Sequence, residues 1–599
     1  MVHRWRTIWF GLIFATFVTR TDATIYFLNQ FGNDFNDGLT ITSAWRTVNA
    51  VNVRTFQAGD QILFHGGETF TNFTLVLDSS TDLATPNNPI LISSYDQGRA
   101  TIDNGSNAAF LAYNCASLLI RNLNFTGAGT ASNTTSGMIF YNDFAGSVKL
   151  PLLIIDHVEV SGFGDVGILL TGGNGSSGYS DVYIINSSIH DNLHSGIATI
   201  GQSFNAHSNI YVGVCEVYNN FGDPNTTGVH SGSGIVLGNV NHGTIEWCAT
   251  HDNGKNNLVT WQGPVGLWVY NSSYITIQYN ESFHNQTGGN TDGGGFDLDI
   301  NTTQSVMQYN YSHENDGAGY LLCCDYFNNN NVIRYNISQN DCRKVNYGVF
   351  DTYGNVSDND FHNNTIYLTP ALGSPTAVML MTPAINLRIR NNIFVTTGGV
   401  RLIWMDNGQN NVLYQGNDYW TSGASFSVVD YGTNYSSFNF WRTNTGREML
   451  GTNFIGFNVD PKFWLPGGGP TFSNAVLIQT FDAYKLQAVS PLVDKGLNLL
   501  ALFGQNPGPQ DFYQTALPIG NGYEVGACEL RWNSILQWDS RPWFEAGAMH
   551  FTAVGPLKTN YLDASTNLVN WFVLTNWPNG TLRYLDPVGL DDRRFYRLR

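Results

Sequence analysis

Charge is scarce in this sequence. Asp, Glu, Lys and Arg make up 12% of its 599 residues. Basic residues are the rarer kind, 28 against 46 acidic ones, for a formal net charge of −18. Nucleic-acid recognition rests on clustered Lys and Arg facing phosphates, so nucleic acid is excluded as the expected partner. A polysaccharide is not, even an acidic one, where calcium or a local Lys/Arg cluster screens the repulsion. Cysteine is sparse too: there are seven, an odd number, so at least one is unpaired. Beyond the N-terminal region no uncharged apolar run reaches the roughly 18 residues of a membrane span. Nucleophile-elbow, phosphate-loop and paired-Cys zinc motifs are all missing. The middle of the chain also lacks the 3.6-residue apolar period of helices.

The N-terminus has the build of a signal peptide, residues 1–23. Arg4 and Arg6 precede an apolar stretch, residues 8–18, too short to span a bilayer, and Thr21-Asp22-Ala23 is an acceptable cleavage site. The expectation is a monomeric protein exported to the cell surface or medium, or to a periplasm, with no membrane span.

Glycine is abundant, at 63 residues, and it marks a repeat. Aligned on one glycine, the middle of the chain reads "DVGILLT", "HSGIATI", "GSGIVLG", "PVGLWVY", "GGGFDLD", "GAGYLLC" and "NYGVFDT", with the glycine at 167, 196, 234, 266, 295, 319 and 348. The first six units are followed by a second motif: "INSSIHDN", "VCEVYNN", "WCATHDN", "YNESFHN", "YNYSHEN", "YNISQND". Each unit holds short runs with Val, Ile, Phe or Tyr at every second position, bounded by Gly and Asn, which is the strand signal. Units of this kind cannot bury an apolar face alone, so they stack into an all-β solenoid. Cys215 and Cys248 occupy equivalent positions and are expected in one column on adjacent coils.

Three regions of the sequence resemble secreted right-handed parallel β-helix proteins of the pectate-lyase-like class. "IYFLNQFGNDFNDGLTITSAWRTVNAVN" with "FQAGDQILFHGGETF" resembles the cap that opens such helices. The repeats resemble their coils, placed at about 100–430. "YKLQAVSPLVDKGLN…GYEVGACEL" resembles the segment that closes them. The resemblance implies a capped right-handed parallel β-helix over residues 24–545. Residues 546–599, with short aromatic strands and a turn at Asn579-Gly580, form a small C-terminal β module.

Strand alternation places the chemistry. It points Trp268 and Asp297 outward on adjacent coils, with Tyr270 and Asp299 two residues on, and it aligns Val349 with Tyr320 and Phe350 with Leu321. Aromatic rings stack on apolar sugar faces, and carboxylates bind hydroxyls or do acid–base work. At the entering turn, Asp292 and Asp316 stack on adjacent coils, with Arg343-Lys344 one coil beyond. His230 precedes the cleft strands and is a candidate for substrate binding. His190, His251 and His284 share a column with Tyr218 and Glu314, read as a structural ladder because no third zinc ligand stands nearby. Lys255 is an alternative base.

Four neighbouring carboxylates repel unless a cation joins them, and Ca²⁺ takes six to eight oxygens. The cluster is similar to that of calcium-dependent pectate lyases with a lysine base. That likeness implies Asp292, Asp297, Asp299 and Asp316 as Ca²⁺ ligands, Lys344 as the base and Arg343 as the group neutralising a uronate. The leading expectation is therefore a polysaccharide lyase cleaving a uronate-containing glycan by β-elimination. A glycoside hydrolase using paired Asp on the same fold, or a non-catalytic glycan-binding or adhesion solenoid, are the alternatives.

Overall fold

The computed structural model describes residues 23–226, 228–324 and 327–530, and strands between Gln537 and Leu598. The segment read as a signal peptide lies outside them, apart from Ala23. The chain winds into a right-handed parallel β-helix of about thirteen turns. Each turn adds one strand to each of three sheets. Sheet one runs from Ile25–Leu28 and Gln61–His65 to Leu413–Gln415. Sheet two runs from Thr69–Thr71 to Asp418–Ser422, and sheet three from Leu75–Asp78 to Val428–Asp430. Thr433–Tyr435 folds back antiparallel on the last strand of sheet three and ends the stacking. The α-helices among the described residues are short: Val48–Asn52, Phe438–Thr445 and Leu499–Phe503.

Inward side chains stack coil on coil. In sheet three Ile168, Ile197, Ile235, Leu267, Phe296, Tyr320, Phe350, Val378 and Ile403 form one column. All nine are fully buried. Cys215 and Cys248 sit one residue before the paired Glu216 and Ala249, on adjacent coils, and both are free and buried.

Two rows of buried amides run along the axis. In one, Asn280 Nδ2 donates to Asn310 Oδ1, and the same link continues through Asn336, Asn364, Asn392 and Asn417 at 2.9–3.1 Å. The last amide donates to Glu448 Oε1 at 2.8 Å. The other row runs Asn192, Asn220, Asn253, Asn285, Asn315 and ends on Asp341. Each row has a direction, so its last member needs only to accept, and a carboxylate is the acceptor-only version of the side chain. The residue before each ladder Asn turns the chain at positive φ, as at Tyr279 (59°), Tyr309 (59°) and Asn391 (52°). The aligned glycine has its reason here. A Cβ on Gly266 would lie 2.5 Å from Asn285 Nδ2, and one on Gly295 would lie 2.4 Å from Ser312 Oγ.

Four expectations change. The coils begin by Gln61–His65, well before residue 100, so "FQAGDQILFHGGETF" belongs to the solenoid, while the stretch before it adds the strand Ile25–Leu28 to sheet one and the helix Val48–Asn52. At the seventh repeat Tyr320 pairs with Phe350 and Leu321 with Asp351, one residue later than the glycine alignment gives. The ring column is His190, Tyr218, His251, Phe283 and His313, stacked at 4.6–5.1 Å, while His284 turns aside to Glu314 at 2.9 Å. Near the C-terminus Gln537–Trp538 and Trp543–Glu545 pair with Ala548–Gly555, so that sheet starts before residue 546. The expected Asn579-Gly580 turn falls partly outside the described residues.

Replacing Asn310 with Ala strands Asn280 Nδ2 and the Ile277 carbonyl without side-chain partners. Leaving buried polar groups unsatisfied costs about 1–3 kcal/mol each. Asn310→Ala is expected to lower the urea-unfolding free energy by at least that much. Asn87→Ala, at an exposed turn residue, should change it by less than about 0.5 kcal/mol. Equal effects at the two positions would contradict the ladder's role.

Candidate active site

The site lies on the outer face of sheet three. Its upstream part is apolar: Leu169, Ala198, Val236 and Trp268 follow one another in register. They form, with Val166 and Val265, an apolar cluster outside the main core. Trp268 is not an open platform. Its indole Nε1 donates to Ser233 Oγ at 3.1 Å, the His230 ring meets it edge-on at 4.8 Å, and it is buried. Tyr270 lies flat over Gly238 of the preceding coil, where a Cβ would stand 2.2 Å from its ring, and stays half-buried. His230 is held neutral. Burial, helped by His194, pushes its pKa down to about 3.

Asp297 is next in the column, opposite Trp268. Its neighbours Phe296 and Leu298 point into the core, so its carboxyl points outward, yet it is only 4% exposed. Its Oδ1 has no hydrogen-bond partner. Burial first, then the nearby Asp299, Asp292 and Asp351, push its pKa well above the usual carboxylate range. Asp299 is half-buried, accepts from the Ile300 amide at 2.6 Å, and is close enough to Tyr270 to help raise that phenol to about 12, an effect led by burial. Asp292 accepts from the Gly263 amide at 2.7 Å and from Tyr347, and burial raises it to about 6. Asp351, two coils beyond Asp297, accepts from the Gly348 amide at 2.7 Å, and burial raises it to about 8.

Asp316 stands apart from this group. It accepts from the Thr287 amide at 3.1 Å and lies near Lys344. The exposed Lys344 donates its Nζ to the Thr287 carbonyl. Arg343 is turned away to the carbonyls of Asp341 and Thr369 at 2.9–3.2 Å and secures a corner of the helix. Lys255 lies over the Phe221 ring at 3.4 Å. The acidic set brought together is therefore Asp292, Asp297, Asp299 and Asp351. Asp351 was hidden by the one-residue slip, although the Phe-Asp pair shared by "GGGFDLD" and "NYGVFDT" marks it.

Downstream, Trp404 follows Asp351 and Met379 in the same column. Lys344, Leu372, Arg401 and Trp404 line a cavity of about 580 Å³, in which Arg401 lies 4.6 Å over the Trp404 ring. Trp404 and Arg401 carry no repeat-motif signal. Among the described residues, the group of three or more ligand-type side chains whose donor atoms all fall within 4.8 Å of one another is Asp299, Cys323 and Cys324. The two cysteines are bonded to each other. One carboxylate beside two bonded sulfurs is not a calcium donor set, which is built from oxygens.

Comparison with known proteins finds no matching family model. Over 200 residues, 33% of this chain, the sequence is 28% identical to a lacto-N-biosidase of Bifidobacterium longum subsp. longum. The match covers about one eighth of that relative's length, 12%. Among solved structures, a GH136 lacto-N-biosidase from Eubacterium ramulus aligns with a TM-score of 0.46 and 17% identity, over 65% of this chain and 67% of that one. The pectate lyase Pel9A aligns with a TM-score of 0.40 and 16% identity, over 84% and 96%. Among the described residues, no helix is long and apolar enough to cross a membrane.

Asp351 gives a pH signature. A carboxyl raised in the folded state keeps its proton where the unfolded chain has released it. Stability then falls as pH rises from the unfolded value, 3.8, to the folded one, about 8. Asp351→Asn removes that slope. Its melting temperature relative to the parent is expected to climb between about pH 5 and about pH 8 and then level off. A difference that does not vary with pH would show that Asp351 ionises normally.

Proposed function

We propose that the chain is an exported glycoside hydrolase that cleaves a glycosidic bond with Asp297 and Asp299. The observation that carries this is Asp297: a buried carboxyl aimed out of the solenoid, one oxygen unpartnered, its pKa pushed well above the usual carboxylate range by burial and by three neighbouring aspartates. Such a group is a general acid in waiting, the role of the raised member of a glycosidase carboxyl pair. Asp297 protonates the leaving-group oxygen as the bond breaks. Asp299, two residues on along the same face, supplies the second carboxylate: either it takes a proton from the water whose oxygen bonds the anomeric carbon as the glycosidic C–O bond breaks, or it bonds that carbon itself as an ester that water then hydrolyses. The half-buried Tyr270 ring beside Asp299 takes the face of one sugar, and the cavity beside Trp404 takes the next. The lacto-N-biosidase over the matched 200 residues supports the hydrolase class.

A uronate lyase with Lys344 as base is the second reading, favoured by the cationic cavity that Lys344 and Arg401 share. A screen of neutral and uronate-containing glycans, including a chromogenic lacto-N-bioside, separates the two. The hydrolase reading expects new reducing ends without near-ultraviolet absorbance. Asp297→Asn and Asp299→Asn should each lower kcat by about 10²–10⁴-fold, the usual weight of acid–base groups, while Lys344→Ala keeps most of the activity. Activity should fall as pH rises through the raised Asp297 pKa, since the acid must hold its proton. An unsaturated product that disappears in Lys344→Ala would establish the lyase instead, and binding without any product would leave a glycan-binding solenoid.

A further inference from the structure

A second cavity, of about 630 Å³, opens on the outer face of sheet one, away from the acidic site on sheet three. Arg334, Arg388 and Arg390 line it with Asp360, and the loop carrying Phe503, Gln505 and Asn506 covers it. The arginines come from coils in register: Arg334 pairs with His362, and His362 with Arg390. Arg388 is satisfied, since its guanidinium takes both oxygens of Asp360 at 2.5 and 2.9 Å. Arg334 and Arg390 are not. They are 9% and 4% exposed, and their partners are neutral. Arg334 donates to Gln308 Oε1 and the Asn506 carbonyl, at 2.9 and 3.1 Å. Arg390 donates to Gln415 Oε1 and Gln505 Oε1, at 2.9 and 2.8 Å, and lies 3.8 Å over the Phe503 ring.

Among the described residues, Asp360 is the carboxylate lining this cavity, and Arg388 occupies it. Three guanidinium charges therefore face one carboxylate. His362 between them cannot supply the counter-charge: burial and the two arginines hold it neutral, with a pKa of about 3, and its other form is a cation. A buried charge without a partner is expensive, and a chain with so few basic residues has placed two such charges together. A third donor points the same way: Gln505 Nε2 is buried and has no partner. Guanidinium forks and amide donors that converge without a carboxylate match the oxygens of a carboxylate or sulfate.

We propose that this cavity binds an oxyanion, a carboxylate or sulfate group, between Arg334, Arg390 and Gln505. The anion supplies the missing counter-charge and ties the 499–506 loop to the solenoid. It comes either free from solution or as an acidic substituent of a glycan.

Titration calorimetry of the whole chain at constant ionic strength tests this with three probes: sodium sulfate, galacturonate and an acidic polysaccharide, each against chloride. Saturable binding of sulfate or galacturonate is expected in the parent protein and should weaken at least about tenfold in Arg390→Gln and in Arg334→Gln. Binding of the polysaccharide as well assigns the anion to a glycan, and binding of the small ions alone assigns it to solution. No binding of any probe to the parent overturns the proposal, and so does binding that both variants keep. If a variant fails to fold, Gln505→Ala on the exposed loop serves in its place, with weaker binding expected and unchanged binding counting against the site. Asp297→Asn should bind the anions normally, which separates this site from the hydrolase reading.

Discussion

The solenoid depends on the directional hydrogen bonding of its buried amides. Stacking apolar columns fixes no register along the axis, because Ile on Leu packs nearly as well as Ile on Phe. An Asn at a corner is different. Its Nδ2 must find an oxygen on the next coil and its Oδ1 must receive an N–H from the coil before, both without water. The row from Asn280 to Glu448 meets this demand at every step from Asn310 onward, with main-chain amides such as those of Cys248 and Asn392 joining the same oxygens. A slip of one residue would bury several unsatisfied amides at once. The ladders are thus what hold neighbouring strands in the alignment that sets Trp268, Asp297 and Asp351 in one outward column.

Rigid alignment is also what lets acidic groups be buried together. Asp297 has Asp299, Asp292 and Asp351 close enough to raise it, and no cation among the groups that shift it. A flexible loop would relieve such repulsion by moving a carboxylate into water. A strand pinned on both sides cannot, so the repulsion is relieved by protonation. The same corners explain why Lys344 and Arg343 stay outside the cluster: their donors are taken by the carbonyls of Thr287, Asp341 and Thr369.

Much of this was legible in the sequence, for identifiable reasons. The glycine in "HSGIATI" and its relatives recurs because a side chain there would strike the Asn ladder, so it marks coils faithfully. Alternation then gives the outward aspect of Asp297 without coordinates. Glycine stops marking the coil in "NYGVFDT": the residue opposite Gly319 is Val349, and the chain reaches register one residue later. Trp268 points outward as alternation gives it, but its burial follows from the Ser233 hydroxyl of the preceding coil, which accepts from its indole, and from the His230 ring on a loop no periodicity describes. Trp404, Arg401 and the arginine cavity depend on which loops fold over which face, and that information is spread over the 344–374 and 499–506 segments.

The two faces show how a fold that is uniform along its axis acquires distinct sites. On sheet three the register collects carboxylates and the uncompensated charge is negative, so protons settle it. On sheet one the register collects arginines. A guanidinium cannot give up its proton near neutral pH, because even Arg390, lowered by burial to about 10, remains charged there. Protonation equilibria are closed to that face, so only an anion from outside can neutralise it. The same stacking rule, applied to residues of opposite sign, thus yields a proton-holding cluster on one side of the solenoid and a demand for an oxyanion on the other.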